Sequence, residues 1–144
     1  MRTIGESAVT REQRFNVLLK KYLKGDAIRI ETDTMSGVPD WNVCYEGMEY
    51  WLEAKIAVGQ RVAVRPEQVA WALRREAHGG RVYMCVRTAR RTFFDPEVLI
   101  YEASQFQEVR DFGTSTTPLN YVSYPIDWEL FNHFLLKAHP LYYG

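Results

Sequence analysis

Residues 40–55 constrain this chain more than any other stretch, because two strand-like runs, 40–45 and 48–55, are separated only by Glu46-Gly47. Two residues of this kind between such runs read as the turn of a β-hairpin. A hairpin closed there pairs Tyr45 with Met48, and counting outward sets Asp40 opposite Glu53. Cross-strand partners hold their Cβ atoms about 4.5–5.5 Å apart, and like charges so placed destabilise a sheet unless something neutralises them. Lys55 falls on the same face as Glu53, about 6.6 Å further along at a rise of about 3.3 Å per residue.

Around the hairpin the hydrophobic period changes. Thr10 with Gln13 has the form of a capping box, and Phe15, Leu18, Leu19 and Tyr22 recur at helical spacing up to a stop at Gly25. Residues 27–33 alternate as a half-buried strand does, and in the loop over 34–39 Gly37 can bring backbone close to another group. Past a polar connection at Gly59-Gln60, Pro66 suits the first turn of a second helix, with Val69, Ala70, Leu73 and Ala77 on its apolar face and Gly79-Gly80 at its end. Residues 81–87 enclose an apolar run of strand length, 98–101 form a further short strand, 114–118 a polar loop, and about 127–138 a last helix. Helices interspersed with strands in this order predict an α/β fold with a central mixed β-sheet flanked by helices. A length of 144 residues suits a single domain, with a core over about 10–101 and a C-terminal helical extension over about 102–144.

Composition excludes several classes. With 47% apolar and 25% charged residues the chain is globular, and no run approaches the roughly 18 apolar residues of a membrane span. Met1 to Thr10 lacks the apolar core of a secretory signal, so the cytoplasm is the expected compartment. Cys44 and Cys85 lie in strand-like runs and read as buried thiols rather than a disulfide or zinc site. Net charge is zero, yet residues 61–91 hold eight arginines against two glutamates, whereas residues 92–144 hold two cations against seven acids. A molecule polarised in this way can hold a phosphate backbone on one face; solvated surface is the competing reading. Arg61, Arg65, Arg74 and Arg75 are the leading candidates for DNA contact.

The facing carboxylates supply the chemistry. Mg²⁺ prefers carboxylate oxygens and completes its shell with water and phosphate oxygens, so a cation shared by Asp40 and Glu53 would make their proximity tolerable. Lys55 beside them could orient a water and offset charge building on a phosphate, which together is what phosphodiester hydrolysis requires. Glu12, at the edge of the first helix's buried stripe, and Gln68, in the first turn of the second, are further candidates. Glu12 also reads as an ordinary first-turn acid, Gln68 as a solvent-facing helix residue, and His78 as a C-terminal residue meeting the helix dipole.

Gly37-Val38-Pro39-Asp40, then Trp51-Leu52-Glu53-Ala54-Lys55, then Arg65-Pro66-Glu67-Gln68 resemble the motifs of the PD-(D/E)XK nuclease superfamily. Within it they resemble the VRR-NUC group and phage or archaeal Holliday junction resolvase-like enzymes, over about residues 10–88. The resemblance implies a restriction-endonuclease-like core. It also implies Mg²⁺ or Mn²⁺ held by Asp40, Glu53 and the Ala54 carbonyl, Lys55 serving the nucleophilic water, Gln68 matching the group's glutamine, and Glu12, or less readily Glu6, its helix-one acid. Small members of the group resembled look like homodimers that act on branched DNA, so DNA and a second copy are the partners implied; a phage origin would fit a chain this short, with the host cytoplasm as its compartment. Residues 92–144 match no motif of the family. Two other classes remain open: a non-catalytic DNA-binding or assembly module on the same scaffold, and a protein-interaction adaptor using Leu141-Tyr142-Tyr143.

Overall fold

A computed structural model describes residues 7–31, 36–89 and 96–137. Helix α1 (Ala8–Tyr22) precedes strands β1 (Asp26–Arg29), β2 (Trp41–Tyr45), β3 (Met48–Val58) and β4 (Arg61–Val62). Helix α2 (Pro66–Ala77) then leads to β5 (Val82–Arg87) and β6 (Pro96–Glu102), followed by α3 (Phe106–Phe112), β7 (Asn120–Ser123) and α4 (Trp128–Lys137). The strands form one mixed sheet in the order β1-β2-β3-β5-β6-β7, with β4 folded back on β3. The β3–β5 pair is parallel, its crossover carried by α2, and every other pair is antiparallel.

The hairpin takes the expected register. Each of its five pairs, from Tyr45↔Met48 to Trp41↔Leu52, lies where a turn at Glu46-Gly47 sets it. Both turn residues have positive φ, 53° at Glu46 and 75° at Gly47, as a type I′ turn demands.

Two cores result from the alternation of β3. Leu52, Ala54 and Ile56 join the cluster under α1 and α4, with Phe15, Leu19, Phe131 and Leu135. Ala57 joins the cluster under α2 and α3, with Val69, Ala72, Phe106 and Val109. Glu53 and Lys55 share the period of Ala57 and are therefore turned toward the α2 layer. The C-terminal extension is helical at α3 and α4 and also adds β7 to the sheet edge. Buried Asn132 locks α4 to the end of α1, its Oδ1 accepting from the Lys24 N–H at 3.0 Å and its Nδ2 donating to the Tyr22 carbonyl at 3.0 Å. No helix among the described residues is long and apolar enough to cross a membrane.

Four local expectations are corrected. Helix α1 starts earlier, with Ser7 as its cap, the serine oxygen accepting from the Thr10 N–H at 3.1 Å, so Thr10 lies inside the first turn. β1 ends at Arg29, short of the expected Asp33. In α2 the buried residues are Gln68, Val69, Trp71 and Ala72, whereas Ala70, Leu73 and Ala77 are exposed. The helix is rotated because Trp71 packs edge-on against Trp51, ring centroids 5.2 Å apart, and Gln68 turns inward to a polar partner. Cys85 is buried as expected, but Cys44 is exposed. Glu6, Arg90, Arg91, His139 and residues 141–143 lie outside the described residues.

Candidate active site

Strand β3 runs six residues past its last pairing with β2, at Leu52. Asp40, just before β2, fills the vacated edge: its Oδ2 accepts the Ala54 N–H at 2.8 Å. The N–H and C=O of a strand residue open to the same side, so the Ala54 carbonyl faces this edge too. The other oxygen of Asp40 meets the Arg29 guanidinium at 3.3 Å, and the same guanidinium donates to the Ile30 carbonyl at 2.9 Å. Arg29 was not singled out from the sequence. It pairs with Trp41 across β1 and β2, and its guanidinium overlies the Trp41 ring at 5.9 Å.

Gly37 places the loop before Asp40 against the start of α2. A Cβ there would collide with the Glu67 carbonyl, and the φ of 85° is a glycine conformation. This contact brings the Asp40 loop and the first turn of α2 together. Gln68 then closes the site, its Oε1 accepting the Arg65 N–H at 2.9 Å and its Nε2 donating to Glu53 Oε1. Those partners fix the orientation of the amide and commit it to Glu53 and to the helix start.

Glu53 is 4% exposed and Lys55 8%. The Lys55 Nζ stands 3.9 Å from Glu53 Oε1, while Glu53 Oε2 is buried without a hydrogen-bond partner among the described residues. Burial drives the Glu53 carboxyl well above the usual carboxylate range, and the neighbouring Asp40 charge adds to this, with Lys55 pulling the other way. Glu12 enters from α1, on the opposite face of the sheet. Its carboxyl is raised by burial first and by Asp40, against the pull of Lys55.

All five expected chemical side chains, Glu12, Asp40, Glu53, Lys55 and Gln68, line one cavity of about 380 Å³. Its described walls hold four carboxylates, Glu31 included, against three cations, Arg29, Lys55 and Arg65. Of the four arginines expected to contact DNA, Arg65 alone lines this cavity. Arg61 lies beside Arg110 in another, and Arg74 and Arg75 stand in the last turn of α2. Arg75 is stacked on Trp71 and Trp51, 4.6 and 5.3 Å from their ring centroids.

No group of three or more His, Cys, Asp or Glu side chains among the described residues is arranged to hold an ion. Two carboxylates and a carbonyl are nonetheless the hard oxygen donors that Mg²⁺ takes when water and substrate complete its shell. The unpartnered buried oxygen of Glu53 is the kind of atom such an ion satisfies. The residues fit the ion.

No protein-family model and no curated protein matches this sequence. Among solved structures, Hjc, a Holliday junction resolvase from the archaeal hyperthermophile Archaeoglobus fulgidus, is similar over 67% of this chain and 78% of its own, with 18% identity and a TM-score of 0.46.

Proposed function

We propose that the chain is a Mg²⁺- or Mn²⁺-dependent endonuclease that hydrolyses DNA phosphodiester bonds, with a preference for branched DNA and action as a homodimer. The observation that carries this reading is the buried Glu53 carboxyl, one oxygen unpartnered, set between the Asp40 carboxylate and the Lys55 ammonium. A fold that needed only stability would pair such an acid or replace it, since a buried charge without compensation costs several kcal/mol, on the order of 3–5 when one partner of a pair is missing. The preference for branches and the dimer rest on the resemblance of the Gly37–Gln68 motifs to resolvase-like enzymes.

When bound, the divalent ion would supply Lewis-acid polarisation of the phosphoryl group and acidify a water. Asp40 and Glu53 would hold it through anionic oxygens and Ala54 through its carbonyl. Arg29 and the Ala54 N–H keep the Asp40 carboxylate in one orientation. Gln68 does the same for Glu53 and so acts through it as a positioning residue. Lys55 orients the attacking water and offsets negative charge on the phosphoryl oxygens. Glu12 at the rim adds a third acid. Arg65, on the cavity wall, meets the neighbouring phosphate.

The test is incubation of purified protein with branched and linear DNA, with and without Mg²⁺. The reading expects cleavage only with the metal and faster on branched substrates. Absence of metal-dependent cleavage from every substrate contradicts it.

A further inference from the structure

Helix α1 has a second cavity on its other flank. Residues 11, 12 and 14 project from the helix at about 100° per residue, so Arg14 stands roughly opposite Glu12, and Arg11, four residues before buried Phe15, faces the sheet between them. Arg11 and Arg14 line a cavity of about 320 Å³ floored by Ile56, the residue after Lys55. Arg87, the parallel partner of Ile56, lines it as well, together with Thr88 and Glu97.

The charge of this cavity is the reverse of its neighbour's. Its described walls carry three guanidinium groups and a single carboxylate, Glu97, which is already engaged by Arg87 at 3.3 Å. The Nε of Arg11 is buried and has no acceptor among the described residues. A buried N–H without an acceptor costs about 1–3 kcal/mol, which an anion seated in the cavity would recover. Guanidinium groups are donors shaped for phosphate oxygens. The two cavities are separated by about the width of a helix, roughly 10 Å, which is about one to two nucleotide steps of a duplex strand, because its phosphates lie further apart through space than their axial rise of about 3.4 Å.

We infer that the Arg11–Arg14–Arg87 cavity holds a backbone phosphate of the DNA strand whose scissile phosphate lies at Asp40 and Glu53, about one or two nucleotides away. This rests on the nuclease reading for the second half of the statement only. The cavity fixes the position of the strand across α1, and Glu12 and Arg11, adjacent in sequence, serve the two phosphates.

The experiment is fluorescence anisotropy of a labelled branched duplex in EDTA, with NaCl varied from about 50 to about 200 mM, on the wild-type chain, Arg14→Gln and Arg11→Gln. Each lost phosphate contact lowers the slope of log K against log salt by about 0.9, which weakens binding about eightfold near 0.1 M salt. Arg14 is exposed, so its variant keeps the test valid if Arg11→Gln fails to fold. Thermal melts with inorganic phosphate form the second arm. Reduced slopes in the variants support the inference, and if the wild type binds in this way but never cleaves, the phosphate site stands while the nuclease reading falls. Slopes equal to wild type overturn it, and so does a wild type without salt-sensitive DNA binding. Equal slopes combined with a phosphate-induced Tm rise lost in Arg14→Gln would show a site for free anions instead.

Discussion

Two buried glutamates, one in each of the two cavities that α1 helps to line, show how differently a fold can treat the same side chain. Glu97 is 7% exposed and faces the Arg87 guanidinium at 3.3 Å. Glu53 is 4% exposed and faces another carboxylate, with the Lys55 ammonium at 3.9 Å and one oxygen unpartnered among the described residues. Burial penalises both charges, and only Glu97 meets a cation within hydrogen-bonding reach. The pairing of Glu97 serves the fold. That of Glu53 works against it, and such strain is retained where chemistry needs it.

The comparison breaks first on activity. Under the proposed function, Lys55→Ala lowers cleavage by about 10²–10³-fold, the usual cost of removing one group that stabilises developing charge. Glu97→Gln leaves the active-site cavity intact and retains most of the rate. Single-turnover cleavage measures both, and equal losses would erase the distinction between the two regions.

Stability gives a smaller effect of opposite sign at the two sites. Glu97→Gln destabilises by about 1–3 kcal/mol, toward the low side of buried pairs because Arg87 is one third exposed. Urea unfolding near neutral pH reads this directly. Glu53→Gln raises the Tm of the metal-free protein by a few degrees at neutral pH, because a raised carboxyl pKa means that the fold prefers the neutral form. The sign follows from linkage. The Glu53 contribution is fully present below its unfolded value of 4.5 and is lost as pH rises through the elevated folded value. Melts from pH 4 upward, in about one-unit steps, should therefore show the two Tm curves diverging as pH rises. Parallel curves would mean that Glu53 carries no such strain.

What could be read in advance divides along the same line. The hairpin register was legible because a two-residue turn couples Tyr45 to Met48 and every later pair follows from the pleat. That register carries Asp40 to the open edge of β3 near Glu53, but the pairing stops at Trp41↔Leu52, so Asp40 is not the cross-strand partner of Glu53 and bonds to the Ala54 N–H instead; Gly37 disclosed its close approach by its identity. Arg29 was not legible because β1 joins β2 through a long connection, which sets no register of its own. The buried face of α2 depends on Trp51 and Glu53, neither of them local to the helix, so a count of apolar spacing chose Leu73 where the fold buries Gln68 and Trp71. Cys44 lies on an exposed face of β2, between Asp26 of β1 and Glu49 of β3, where an apolar run does not mean burial. The Asn132 link between α4 and α1 spans more than a hundred residues and has no local signature.

Differential scanning fluorimetry of wild type and Asp40→Asn, titrated with Mg²⁺ in the absence of DNA, tests most directly whether the paired carboxylates hold an ion. At about 100 times its Kd a ligand stabilises by about 2.7 kcal/mol, roughly 5–10 °C for a chain of this size. The account predicts that rise in the wild type and its loss in Asp40→Asn. Identical shifts in the two proteins, or none in either, would contradict it.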